Sequence, residues 1–596
     1  VSKSMATSSG GPNSVKSAGT RGSVSYERES ESWRTPYDML SRLKRLGAIA
    51  DHESERRVIG ILRRAAEGRT QDFRTPFFTS KGKNGLVYLP REEIVEILRS
   101  HMSNGSFDRS LDFVVSPIED ENMADIGPWS PFLPYAQDGP KKVQAVYCDK
   151  ILRADRGPYE RAVERYRSSV SARSLNRISF EDAVKGTPTG EGEALERKGG
   201  LDPTTNSGPP WYSSGWKPTD GDSPRKRHGL EEIFDWYLAR AKEMARQIED
   251  TGEAPTFFAV MFQRLVQKGP NAYGPKSKRI VMGLGKENAI LGKTFSVPII
   301  NARKALVING ARTMIGWTRL PDIDIEMQDL LRVAEKSRQI VVSGDVSNFD
   351  ASVPPQLILD VGEAMSSWFR SGSRILNAMV QGIVHNTWLI TPNKLWAPTM
   401  GSVKSGDWGT NILDSGCIEV VLFYGEEAGF YKLDRHYALG DDFLALGQGV
   451  TPDSISEVFK LFGLESHPAK QFYVKNALHF LQRLHVHGRI GGIASVMRTL
   501  GHALGFEHME YKPGEFNRFS YVVRALSQVN NCVFNPYFSA LVDTLREGDA
   551  EELGARFTPD EVASQSGKAG KYIIREDTNA PWKAGATSFP NWPVNG

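Results

Sequence analysis

A chain of 596 residues has room for several average domains or for one large multi-lobed enzyme. It is 40% apolar and 24% charged, enough for a sizeable core, and a net charge of +3 gives no global basic excess that would announce nucleic acid. Cys148, Cys417 and Cys532 stand far apart, which argues against a disulfide framework and a cysteine-rich zinc site and suits a reducing, intracellular setting. No apolar run approaches the ~20 residues of a membrane span, and the polar start has no signal-peptide core, so a soluble, non-secreted protein is expected.

Residues 1–24 are Ser, Gly, Lys and Thr with almost no large apolar groups, the composition of a disordered tail. Helical periodicity runs from Trp33 to about Gly68, where Arg56, Arg57, Arg63 and Arg64 make either a solvated face or a phosphate-facing one. Short strands and helices follow to residue 180, including Gly85 to Leu89 and Glu92 to Leu98. Residues 185–224 are rich in Gly, Pro, Ser and Thr and read as loop, with Thr205-Asn206-Ser207-Gly208-Pro209-Pro210-Trp211 inside it. An amphipathic helix is expected over Leu230–Asp250. Lys268, Lys276, Lys278 and Arg279 are then spaced along a Gly/Pro-rich loop that ends in an apolar run.

Residues 329–338 read as helix, Gln339–Asp345 as a buried strand ending in an acid, and Gln356–Val384 as helix. Asp345 and Asp350 frame the end of that strand. A Gly/Ser loop, Gly401 to Gly409, leads into a helix on which Thr410 and Asp414 are four apart and share a face that can meet Asp350. Tyr437 to Leu446 reads as strand, tight turn, strand, with Gly440 at the turn. Asp441 and Asp442 are then two adjacent carboxylates, which repel unless a cation lies between them and another acid. Asp345 can complete such an oxygen-only site, the donor chemistry that Mg²⁺ prefers. Each motif taken singly is weak, because Asp-rich turns and Ser/Gly caps are common for conformational reasons alone.

Their order is specific. A basic loop, Asp-x4-Asp, Ser-Gly-x3-Thr and Gly-Asp-Asp in one chain resemble the viral RNA-dependent RNA polymerases, of the picobirnavirus, partitivirus and cystovirus sort. The motifs span about Thr205 to Gly488. The resemblance implies an α+β right-hand fold of fingers, palm with an antiparallel sheet, and helical thumb, closed by fingertips. It implies RNA synthesis from NTPs with two Mg²⁺ ions (or Mn²⁺), held by Asp345 and Asp441 with Asp442 in support. Arg279 is expected against the triphosphate, with Lys268, Lys276 and Lys278 along its tunnel. Asp350, Ser405, Gly406 and Thr410 are expected at the sugar 2′-hydroxyl, with Asn411 or Asp414 contacting Asp350. Thr205, Ser207, Gly208 and Pro209 are expected to hold the template. Lys470, or failing it Lys475, is expected to protonate pyrophosphate.

Downstream, Asp453 to Leu464 reads as an amphipathic helix, and Phe480 to His487 resembles the family's primer-grip strand. His485 and His487 share a strand face there, but zinc is disfavoured with no further ligands nearby. The expected organisation is a tail over 1–24; an N-terminal extension and fingers over 25–338 and 356–398; palm over 339–355 and 399–490; thumb over 491–567; and a C-terminal tail over 568–596. Trp582, Phe589 and Trp592 in that tail suit either a surface strap or an aromatic platform for primer-independent initiation. Template and product RNA, NTPs and viral capsid protein are the expected partners, in the virion interior and host cytoplasm. The alternatives are a reverse transcriptase, disfavoured because Asp350 lacks the bulk of a steric gate, or a non-catalytic RNA-binding core protein with degenerate motifs.

Overall fold

Residues Ile412–Gly425 are apolar on almost every side, and a helix of that kind must be buried all round. In the computed structural model the helix Thr410–Glu427 is the buried axis of the largest core, with every residue from Ile412 to Gly425 inaccessible. The structure describes residues 31–32, 36–67, 73–74, 89, 91–105, 109–124, 152–189, 196–198, 200–201, 206–212, 225–265, 278–398, 401–506, 516–549, 551–567 and 570. The proposed N-terminal tail, Thr205, Lys268, Lys276 and the aromatic C-terminal tail lie outside them, and only the backbone of Lys278 and Arg279 is described.

The axial helix packs against Arg156–Arg167, Pro355–Ser367 and the strand Lys432–Leu439. That strand pairs antiparallel with Asp442–Gln448, which pairs antiparallel with Val342–Gly344. Phe443 lies opposite Gly344, and its ring covers the space that a side chain at 344 would need. The same ring stacks on Phe459 at 5.0 Å, fixing the sheet to the helix Pro452–Leu461.

A second sheet has the order Glu31–Ser32, Lys394–Trp396, Thr387–Ile390, Phe257–Leu265 and Lys278–Gly283. Helices Pro36–Arg45 and His52–Glu67 share a core with it, Leu40, Leu43, Val58 and Leu62 meeting Val260, Trp388 and Leu395. The C-terminal region is helical as expected, with Val496–Leu504, Arg518–Val529, Phe538–Glu547 and Pro559–Gln565. Its core also takes Ile94, Leu98, Val114 and Val115 from the N-terminal helices Arg91–Asn104 and Asp112–Ala124. Buried Glu119 accepts from the Ser495 hydroxyl (2.7 Å), the Val496 and Met497 amides (3.0 Å each) and the Asn535 amide (2.8 Å). An acid from one end of the chain thus caps a helix from the other.

Several elements differ from their sequence reading. Gln356–Val384 is two helices, Pro355–Ser367 and Ser373–His385, broken where Gly372 takes φ 82°. Residues 185–224 contain a short antiparallel pair, Thr187–Thr189 with Glu196–Lys198. Phe480 to His487 is not one strand: Ala477–Phe480 and Arg483–Val486 form a hairpin that turns at Leu481 and Gln482, both at positive φ. His485 is fully buried while His487 lies 3.5 Å from Glu335, so the two do not converge on a common ligand.

Candidate active site

The two-residue turn Gly440-Asp441 joins the long strands of the central sheet, with Leu439 paired to Asp442 across it. Gly440 takes φ 62°, and its amide donates to Ser415 Oγ at 2.8 Å, which pins the turn to the axial helix. Asp345 follows the neighbouring strand end, so pairing alone brings it to the same edge. Each of Asp345, Asp441 and Asp442 offers an oxygen within 4.8 Å of the others, at the accessible end of a buried sheet. Three carboxylates so close suit a hard divalent cation, and all donors are oxygen.

The axial helix presents Asn411, Asp414 and Ser415 to this edge, on one face by their spacing. Asp414 interacts with Asp350 through charge and a side-chain hydrogen bond. Burial, and after it the charge and hydrogen bond of Asp350, raises the Asp414 pKa well above its ordinary value, which favours the protonated carboxyl. Asn411 Oδ1 instead accepts from Trp317 Nε1 at 2.7 Å. The Thr410 hydroxyl donates to the carbonyls of Lys404 (3.0 Å) and Asp407 (3.1 Å), so it secures its own loop.

Backbone contacts join the remaining motifs in series. The Val403 amide donates to the Asp350 carbonyl at 2.9 Å, and the Met282 amide to the Ser405 carbonyl at 2.7 Å. Gly406 takes φ 106°, and a side chain there would stand 2.5 Å from the Met282 carbonyl. Strand Lys278–Gly283, which carries Arg279, is therefore laid along the Ser405-Gly406 loop. At its far end the Lys286 amide donates to the Ser207 carbonyl at 2.9 Å. Ser207, Gly208 and Pro209 are buried against this junction, so packing accounts for them in the structure.

Lys470 is exposed on the turn Pro468–Lys470. Its segment runs beside the acid-bearing strand: the Ser347 amide donates to the Glu465 carbonyl at 2.9 Å, and Ser343 exchanges two backbone bonds with Phe472.

Sequence reasoning missed a buried set around the loop. Lys404 is 1% exposed, and burial pulls its pKa down to about 7 against the pull of Asp407. Burial pushes the Asp407 carboxyl up to about 7; it accepts from Asn288 Nδ2 at 2.6 Å. Ser415, one residue past Asp414, was legible in principle from the helical face it shares with Asn411. A cleft of about 510 Å³ lies elsewhere, lined by Tyr159, Glu160, Gln356 and Asp360 among others, and none of the three clustered acids borders it. The clustered carboxylates, not the cleft, mark the candidate site.

Residues 205–493 match the family described as viral RNA-dependent RNA polymerase. A potential RNA-dependent RNA polymerase of human picobirnavirus (strain Human/Thailand/Hy005102/-) is 24% identical over 274 residues, which cover 42% of this chain and 49% of that relative. The match thus spans about half the length of the curated relative. A crystal structure of the RNA-dependent RNA polymerase of a human picobirnavirus superposes with TM-score 0.65 and 19% identity, covering 90% of this chain and 95% of that one. Its insertion-loop deletion mutant gives the same score and identity, with 87% and 94% covered. In sequence over its central stretch, and in fold over most of its length, the chain resembles the viral RNA-dependent RNA polymerases.

Proposed function

We propose that the chain is an RNA-directed RNA polymerase that replicates and transcribes a viral RNA genome from NTPs. The observation that carries this reading is the gathering of Asp345, Asp441 and Asp442 at one sheet edge, beside the Asp350–Asp414 pair. Two divalent ions on those acids, Mg²⁺ or Mn²⁺, would lower the pKa of a primer 3′-hydroxyl and stabilise the leaving pyrophosphate. Asp350, oriented by Asp414, accepts from the ribose 2′-hydroxyl. Arg279 and the basic loop before it offset phosphate charge, and Lys470 returns a proton to pyrophosphate.

In this reading the central sheet is the palm, the five-stranded sheet belongs to the fingers, and the C-terminal helices form the thumb. Closure by fingertips belongs to the same reading, and the helices within 36–67 and 91–124, which join the fingers core and the thumb core, would brace it. Primer-independent initiation, capsid association and residence in virion and cytoplasm belong to the same proposal.

Asp441→Ala is expected to lower NTP incorporation on an RNA template by on the order of 10³-fold or more, with RNA affinity kept because the cations are untouched. An Asp441→Ala chain that polymerises at the parent rate would refute the assignment. A parent that prefers dNTPs would make it a reverse transcriptase, and one that binds RNA without incorporating either would make it a binding protein.

A further inference from the structure

The loop Gly401–Gly409 is the junction at which the site's parts meet, and its shape is improbable without an internal support. Gly401 takes φ 142°, Ser402 φ 52° and Gly406 φ 106°. Non-glycine residues rarely hold the left-handed region unless the surroundings over-determine it. At the centre lies Lys404, whose Nζ is 2.6 Å from the Gly401 carbonyl, 3.0 Å from Ser402 Oγ and 3.3 Å from the Ser402 carbonyl. A lysine nitrogen has three protons at most, so these three oxygens match its capacity. Its own carbonyl accepts from Thr410 Oγ1 (3.0 Å) and from the Asp407 amide (2.9 Å). On either side, Val403 holds Asp350 and Ser405 holds the strand of Arg279.

We propose that Lys404 is a positioning residue for ribonucleotide selection. Its Nζ folds residues 401–402 back on themselves, and this sets the backbone that presents Asp350 and the triphosphate strand to the same nucleotide. The side chain is buried within the loop, so it acts through the Val403–Asp350 and Ser405–Met282 bonds. A buried amine that must satisfy its N–H groups is costly to keep for packing alone, whereas Met would fill the same space without demanding three oxygens.

The inference rests on the polymerase reading, and the full chain tests both. Parent, Lys404→Met and Ser402→Ala chains are compared on one RNA template for kcat and KM with NTPs and dNTPs, alongside template affinity and thermal midpoint. Lys404→Met is expected to lower NTP-over-dNTP discrimination about tenfold, chiefly through KM for NTPs, with template affinity within about twofold. Ser402→Ala removes one of the three oxygens without stranding a charge, and is expected to lose about threefold in discrimination, which keeps the idea testable if Lys404→Met does not fold. An equal fall for NTPs and dNTPs, or none, in the folded variants would overturn the positioning role while leaving the polymerase standing. A parent chain that incorporates neither nucleotide would remove the reading beneath it.

Discussion

Asp414 occupies a position at which an amide and a protonated carboxyl can do the same work. Burial, and after it the charge of Asp350, raises its pKa well above the ordinary value, and the protonated carboxyl so favoured can donate to Asp350 as an asparagine Nδ2 would. Asp414→Asn is therefore expected to keep the ribonucleotide preference within about threefold, while Asp414→Leu, which has no donor, loses about tenfold or more. The ratio of NTP to dNTP incorporation, measured for both variants, separates donation from mere volume. Loss of selection in Asp414→Asn equal to that in Asp414→Leu would show that charge, not donation, matters at this position. Glycines carry a different constraint: Gly406 is fixed by the Met282 carbonyl 2.5 Å from where its side chain would begin, a contact between segments far apart in sequence.

At the level of elements, the sequence made the acid-bearing strands, the Gly-Asp-Asp turn and the axial helix legible, because period and turn chemistry are local signals. It did not reveal that Phe480 to His487 turns back on itself, since Leu481 and Gln482 hold positive φ without the glycine or asparagine that advertises it. Nor did it reveal Lys404, because a lysine beside Ser and Gly reads as solvated until three oxygens from its own loop surround it.

The hairpin Ala477–Phe480 and Arg483–Val486 also has a pH signature. Burial, and after it the charge of Arg483, holds the His485 imidazole down at about 3, and burial holds His479 at about 4. Asp324 Oδ1 lies 3.7 Å from His485 Nδ1, too far for a hydrogen bond, so desolvation prevails and the ring stays neutral. The unfolded chain then binds more protons between pH 3 and the ordinary histidine value of 6.5, and stability falls as pH falls through that window. At pH 5 the cost is about 2 kcal/mol for His485 alone. In His485→Phe the loss of urea midpoint between pH 7 and pH 5 should shrink correspondingly, with a remainder from His479. An unchanged pH dependence would mean that His485 is protonated in the folded chain.

For the molecule as a whole, the decisive arrangement is that the N-terminal extension belongs to two cores at once. Leu40, Leu43, Val58 and Leu62 complete the core of the five-stranded sheet, and Ile94, Leu98, Leu111, Val114 and Val115 that of the C-terminal helices. At about 1.5–3 kcal/mol for each buried side chain, the second group alone contributes on the order of 10 kcal/mol as an upper estimate. That is comparable with the roughly 5–15 kcal/mol that separates folded from unfolded domains. Glu119 adds four hydrogen bonds whose donors would be stranded without it. A chain beginning at residue 152 should therefore keep every clustered acid and still fail to polymerise. Its C-terminal helices should expose apolar surface, bind a hydrophobic dye strongly and lose a cooperative thermal transition. The parent and Glu119→Ala provide the scale: the parent melts cooperatively, and the point variant melts lower by about 3 kcal/mol of stability. A truncated chain with a sharp transition and parental incorporation would mean that the extension merely decorates a catalytic body able to fold without it.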